Sequence, residues 1–257
     1  IDSQWYLTNW DKHPNINDEC SIKSREDFFE EFDSLINKYQ NQTVIVAMHH
    51  PMFSNAEHGG KYSVKDHLFP YKNIPLPILG TFINYVRKTS GILDQDLQNK
   101  KYISLRNRLI TATQNRNNVV FVSGHDHTLQ YIEREGVKQI ISGAGSYADA
   151  SHTKDYISFA SGKIGFAVLD VLKNGETWVK FYASESGSRV IFSKKVLDKL
   201  PDFEQNIPPV ASETTVASIY TKEMTTKSTP YKFLWGEHYR DFYSTPIEFK
   251  NLFLDKV

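Results

Sequence analysis

The chain of 257 residues is long enough for one large domain, or for one domain with an appendage. Apolar residues make up 40% of it and aromatic residues 13%, so a sizeable core can form, and 30 Lys and Arg balance 30 Asp and Glu, which argues against nucleic acid or an anionic membrane surface as the main partner. Cys20 is the only cysteine, which excludes an internal disulfide, and no run of about 18 apolar residues is present to span a membrane as a helix.

The first 22 residues predict a strand and then a loop. Residues 1–7 have an alternation typical of a strand, and residues 8–22 are polar and contain Pro14. The chain has neither an initiator Met nor a signal peptide, and a strand at its first residue is typical of the middle of a domain. We therefore expect it to begin inside a larger protein.

A helix and a buried strand come next. Ser24, with Asp27 three residues on, predicts a capping box that opens a helix over residues 24–40. Its apolar face consists of Phe28, Phe29, Phe32, Leu35, Ile36 and Tyr39. Residues 43–48 are apolar almost throughout, which predicts a strand covered on both faces, and this strand ends in His49-His50.

Residues 52–60 read as a loop that carries His58, and residues 61–101 are punctuated by Pro70, Pro75 and Pro77. We expect a short helix near 76–87 and a helix over 101–115. The long, partly irregular stretch 61–101 is typical of a lid or binding loop, or of a simple surface excursion.

From residue 119 the pattern changes to short strands. They are predicted at 119–123, 128–133, 137–142, 165–171, 177–183 and 190–194, with a hairpin turn at Asn174-Gly175, where both residues tolerate positive φ. From about residue 201 the composition shifts, and 201–257 read as a linker and a docking tail rich in aromatic residues.

The strands that end near residues 48 and 123 each deliver histidine at a C-terminal end, which predicts a metal site at a sheet edge. In an extended stretch His125 and His127 point the same way, and Gly124 is expected to allow close approach of the backbone. His49, from the other strand, can complete the set of metal ligands. Asp126 and His50 are expected to lie behind the ligands, or in the case of Asp126 in a turn, and not to bind the metal themselves. An alternative is a single-metal site that draws carboxylates such as Asp2 or Glu57 towards His125 and His127.

Three stretches carry a family resemblance. They read His49-His50-Pro51-Met52-Phe53-Ser54-Asn55-Ala56-Glu57-His58-Gly59, Gly124-His125-Asp126-His127-Thr128-Leu129-Gln130-Tyr131 and Ser142-Gly143-Ala144-Gly145. In this order they resemble the calcineurin-like metallophosphoesterases, and within these the tartrate-resistant (purple) acid phosphatases most closely. The resemblance covers about residues 1–196, with one insertion at 61–101. It implies the C-terminal half of a four-layer αββα sandwich, an α/β fold, over residues 1–200.

The resemblance also implies roles for single residues. His49 and His125 would bind one metal ion and His127 the other, the two ions being Fe, Zn or Mn. His58 would be a proton donor to the leaving group, and the loop 8–22 would cover the site. The reaction implied is hydrolysis of phosphate esters by a metal-bound hydroxide.

The sequence also departs from the family pattern. The Asp-x-x strand end, the Gly-Asp motif with the bridging Asp, and the Gly-Asn-His motif of the family's first half are all missing. We expect a preceding segment of a longer protein to supply them; alternatively another chain does so, or the module is catalytically incomplete and serves as a structural or interaction component.

The tail adds an expectation about location. Residues 234–246 are similar to the segment that follows the phosphoesterase domain in some bacterial surface proteins, where a membrane β-barrel comes next. This implies a cell-envelope or extracellular protein associated with the bacterial outer membrane. Residues 201–257 would then contact an outer-membrane barrel or an envelope complex.

Overall fold

A computed structural model describes residues 1–62, 64–69, 74–90, 96–151, 157–184 and 187–200. The predicted linker and docking tail at 201–257 lie outside the described residues.

Five strands form a mixed sheet with the order β1-β2-β4-β3-β5. They are β1 Val44–Ala47, β2 Val119–Ser123, β3 Leu129–Arg134, β4 Val137–Ser142 and β5 Ile157–Ser161. Strands β1, β2 and β4 are parallel, whereas β3 pairs antiparallel with both β4 and β5. In this sheet β1 to β4 begin and end within one residue of the predictions, and the edge strand β5 was not predicted from the sequence.

A second, antiparallel sheet has the order β6-β7-β8, with β6 Gly165–Val171, β7 Thr177–Ala183 and β8 Arg189–Leu197. The predicted hairpin between β6 and β7 is confirmed. Of the two residues predicted to form its turn, Asn174 and Gly175, only Gly175 has a positive φ, of 84°. Residues 172–176 connect the two strands, so the connection is longer than a two-residue turn. The Leu172 N–H donates to the Glu176 carbonyl at 2.8 Å and closes it.

The N-terminal strand prediction is wrong, because residues 3–12 are helical: a π-helical turn Trp5–Asn9 runs into α1 Trp10–Lys12. The Asp2 carboxylate accepts the Trp5 N–H at 2.9 Å and so caps the first turn. Tyr6 then packs on Phe29 with ring centroids 5.6 Å apart, so contacts with the next helix outweigh the local pattern.

That helix, α2 Arg25–Lys38, has the predicted capping box between Ser24 and Asp27. The insertion holds α3 Val64–Leu68 and α4 Pro77–Ser90, and α5 Lys100–Thr113 follows it. The predicted helix at 101–115 is therefore confirmed, and the one at 76–87 extends three residues further. No helix within the described ranges is long and apolar enough to cross a bilayer.

Two hydrophobic clusters define the layers. The first joins α2 and α5 to the five-stranded sheet, and the second lies between the two sheets around Tyr131, Val179 and Phe181. The described residues thus form an α/β fold with three layers: helices, the five-stranded sheet and the three-stranded sheet.

The core between the sheets stops at β2. Val120 of β2 is fully buried, but its register partner Ile45 on β1 is 46% exposed. The prediction that the strand at 43–48, which is β1, is covered on both faces is therefore wrong. The outer face of the three-stranded sheet is open as well, with Phe166 and Val190 both exposed.

Candidate metal centre

Two histidines meet where neighbouring parallel strands end. His49 lies two residues after β1 and His125 two residues after β2, and the Gly124 N–H donates to the His49 carbonyl at 3.1 Å. Parallel pairing of β1 with β2 puts both C-terminal ends at one edge. There the His125 Nδ1 lies 3.1 Å from the His49 Nε2. The two side chains thus lie at the same sheet edge that was predicted from the ends of their strands.

The segment that carries His125 is not extended. The Asp126 N–H donates to the Gly124 carbonyl and the Thr128 N–H to the Asp126 carbonyl, which makes two consecutive tight turns. His125 has a φ of 66°, in the left-handed region that residues other than glycine rarely adopt. The expectation that His125 and His127 point the same way rested on an extended backbone, which this segment lacks.

Gly143, rather than Gly124, allows the close backbone approach. A Cβ added at Gly124 would meet nothing within 4 Å, whereas one added at Gly143 would lie 2.0 Å from the Asp126 carbonyl oxygen. The Gly143 N–H also donates to the Thr128 carbonyl at 3.1 Å. The turn after β4 therefore packs against the backbone of residues 124–128, which carry His125 and His127. The expectation that Gly124 allows this close approach is wrong.

His50 joins the same cluster. Ligand atoms of His49, His50 and His125 all lie within 4.8 Å of one another. His50 is fully buried; its Nδ1 lies 2.8 Å from the Ser3 Oγ, and its Nε2 has no hydrogen-bond partner among the described residues. Burial, together with the charges of His49 and His58, lowers the pKa of His50 to about 3, so the ring is neutral. If the Nδ1 carries the proton towards Ser3, the Nε2 presents a lone pair.

His127 has a different neighbourhood. Its Nδ1 lies 3.2 Å from the Asp149 Oδ2, and its ring packs on Tyr147 with centroids 3.9 Å apart. It is not among the three clustered histidines, although it is near enough for its charge to lower the pKa of His49, after the larger effect of partial burial. Two of the three predicted metal ligands, His49 and His125, thus lie together, whereas the third, His127, lies within hydrogen-bond distance of Asp149.

His58 reaches the cluster from the 3-10 turn Glu57–Gly59. Its ring lies 4.0 Å from that of His125, centroid to centroid, and its Nδ1 is 3.2 Å from Oδ1 of the buried Asp96. Burial by itself would lower the pKa of His58, but the hydrogen bond that its ring donates to the Asp96 carboxylate and the charge of Asp126 outweigh it, and the net pKa is raised. Asp96 belongs to the insertion at 61–101. Sequence reasoning did not single out this residue, and the length of the insertion was the only indication that the segment could contribute to the site.

Asp126 supports this turn rather than the cluster. It is buried, its Oδ1 accepts the His58 N–H at 3.3 Å, and burial raises its pKa. Asp126 thus lies in a turn, which is one of the two locations expected for it.

Two buried glutamines hold the loop between His50 and His58. The Gln139 side chain accepts the N–H of Met52 at 2.7 Å and that of Phe53 at 3.1 Å, and Gln130 accepts the N–H of Asn55 at 3.0 Å. Both glutamines point from central strands into the core and have no exposed surface. Sequence reasoning missed them, because a polar residue inside an apolar strand gives no indication of which backbone groups it will meet.

The three imidazoles of His49, His50 and His125 are suited to one transition-metal ion. Nitrogen ligands lie about 2.0–2.1 Å from a tetrahedral zinc ion and hence about 3.4 Å apart, so ring atoms that lie up to 4.8 Å apart here need to approach by up to about 1.4 Å. Neutral imidazole is a preferred ligand of Zn, Fe and Cu. Among the described residues this group contains no carboxylate, and neither Asp2 nor Glu57 is a member of it.

A scan against protein-family models finds no match, and a search of curated proteins finds none either. Among solved structures, the chain is similar to GAP50, described as the anchor in the inner membrane complex of Plasmodium. The two sequences are 19% identical and the TM-score is 0.46. The match covers 90% of this chain and 56% of that one, so this chain spans little more than half the length of the structure that it matches.

Proposed function

We propose that this chain is the C-terminal half of an acid-phosphatase-like phosphoesterase, which hydrolyses phosphate esters at a binuclear metal centre. The observation that carries the proposal is the 3.1 Å approach of His125 to His49 at the ends of two parallel strands. His127, two residues after His125 in the chain, is the proposed ligand of the second ion. Bound metal ions (Fe, Zn or Mn) would polarise the phosphoryl group and make water more acidic there.

His58 is the proposed proton donor to the leaving group. Its ring contacts that of His125, so it borders the proposed metal centre, and its raised pKa favours the protonated form that a general acid needs. The buried carboxylate of Asp96 holds the Nδ1, which leaves the Nε2 to face a substrate.

We further propose that the complete domain is the four-layer αββα sandwich. Its missing part would cover the faces on which Ile45 and Phe166 are exposed, and would bring the carboxylate ligands that the histidine cluster lacks. A preceding segment of the same protein is the proposed source, and a second chain is the alternative.

The test is the hydrolysis of p-nitrophenyl phosphate by the complete protein, that is, this chain with its preceding segment. His125→Ala is expected to reduce kcat/KM by at least about a hundredfold, because it removes an ion ligand next to the reacting phosphate. The control is His67→Ala, since His67 lies on α3 and bonds Thr81. Undiminished turnover in His125→Ala refutes the proposed function.

A second candidate function is that of a catalytically incomplete phosphoesterase-fold module in a bacterial outer-membrane assembly, located in the cell envelope. The absence of a carboxylate from the histidine cluster in the described part of the chain favours it. Metal analysis of the complete protein separates the two candidates: about two ions per chain supports the enzyme, and less than about one supports the structural module.

A further inference from the structure

Helix α4 turns its apolar side outwards. Ile78, Phe82 and Tyr85, spaced as one helical stripe, are 87%, 62% and 65% exposed. Over residues 77–86, the part of this helix whose side chains are described, the buried positions are instead Gly80 and Asn84. Burial in the protein's own core would favour the opposite orientation, because the apolar side chains then leave water.

Neighbouring residues extend this apolar surface. Helices α3 and α4 pack against each other, with the Leu76 N–H donating to the Leu68 carbonyl at 2.8 Å, and Val64 is 75% exposed. Further exposed apolar side chains of the pair and its connection are Leu68, Phe69, Ile74, Leu76, Leu79 and Ile83. Neither hydrophobic cluster of the described residues includes any side chain of α3 or α4. We call the exposed apolar side chains of residues 64–85 the α3–α4 surface.

The charge of this segment differs from that of the whole chain. Residues 61–90 contain five basic residues and one acidic residue, so their formal charge is 5 − 1 = +4, whereas the chain as a whole is neutral. The basic residues are Lys61, Lys65, Lys72, Arg87 and Lys88, and the acidic one is Asp66. The neutral total therefore conceals an excess of basic residues in the sequence of this segment, two of which, Lys61 and Lys65, lie among the described residues next to the exposed Val64.

We propose that the α3–α4 surface lies on an anionic phospholipid bilayer. Exposed apolar and aromatic side chains combined with basic residues are the features of helices that rest in the interface between headgroups and acyl chains. With 14 residues, α4 has the length for lying on a bilayer rather than crossing it. This inference is independent of whether the histidine cluster supports hydrolysis.

The first test is flotation of the 257-residue chain with vesicles. The chain is expected to float with vesicles of phosphatidylcholine mixed with phosphatidylglycerol, and more weakly with phosphatidylcholine alone. The double variant Ile78→Ser, Phe82→Ser is expected to weaken partitioning by about tenfold or more, because two inserting side chains are lost. The matched control is Phe166→Ser with Val190→Ser, an exposed apolar pair on the outer face of the three-stranded sheet, and it is expected to partition like the unaltered chain.

The second test concerns charge. Replacing Lys61 and Lys65 by Gln is expected to weaken binding to the anionic vesicles by about fivefold for each lysine and to reduce its dependence on salt. Lys12→Gln with Lys173→Gln changes two exposed lysines elsewhere and is the control. Urea unfolding of every variant shows whether the fold is intact.

Three results would overturn the proposal. One is the absence of flotation with either vesicle, and another is an equal loss in the two control variants. The third is self-association of the chain that Ile78→Ser with Phe82→Ser abolishes while no vesicle binds, because a second copy would then cover the α3–α4 surface.

Discussion

Acidification should destabilise the metal-free chain through His50. This ring is fully buried, and its pKa in the folded protein is about 3, against an ordinary value of 6.5. Below pH 6.5 the unfolded chain binds a proton at this ring that the folded chain excludes. The stabilising contribution is therefore complete above the unfolded pKa and is lost as the pH falls towards 3.

The magnitude follows from the two pKa values. At about pH 5 the unfolded ring is protonated and the folded ring is not, and the difference of about 1.5 pH units from 6.5 corresponds to about 2 kcal/mol. At about pH 7 the corresponding loss in the free energy of unfolding is only about 0.2 kcal/mol, because most unfolded rings are then neutral as well. His58, with its raised pKa, acts in the opposite direction over this range, so the effect of His50 has to be isolated by comparing variants.

The assay is urea unfolding with EDTA at about pH 7 and at about pH 5, for the unaltered chain and for His50→Asn. An asparagine amide can keep the bond that the Nδ1 makes to Ser3, but it does not titrate. The unaltered chain is expected to lose about 2 kcal/mol more than the variant between the two pH values. His13→Asn, a change at an exposed histidine, should behave like the unaltered chain. Equal losses in the unaltered chain and in His50→Asn would show that the ring is not held neutral by burial.

Three further predictions concern the residues that support the site. Gly143→Ala should destabilise the chain by about 2 kcal/mol or more, because its Cβ would overlap the Asp126 carbonyl; Gly145→Ala, where a Cβ meets nothing within 4 Å, is the urea-unfolding control. Asp96→Asn should lower the pKa of His58 towards 6.5, as followed by NMR titration in EDTA, and an unchanged pKa would contradict the role given to this carboxylate. Ser24→Ala should cost about 1 kcal/mol of unfolding free energy through the lost capping box, and a stability equal to that of the unaltered chain would count against the cap.

Where the signal is local, the sequence by itself was sufficient. The cap of α2 needs only Ser24 and Asp27, and the strand before His125 needs only its own apolar run, so both were predicted within a residue or two. Parallel pairing of β1 with β2 then makes the meeting of His49 with His125 a consequence of where each strand ends.

Only the tertiary structure decided which other side chains share the site. The left-handed backbone at His125 means that residues 124–128 are not extended as predicted. His50 is buried against Ser3 and joins the cluster, whereas His127 lies within hydrogen-bond distance of Asp149. Asp96 reaches His58 from 38 residues away along the chain. Such contacts depend on how distant segments pack, and the spacing of residues in the chain carries no record of that packing.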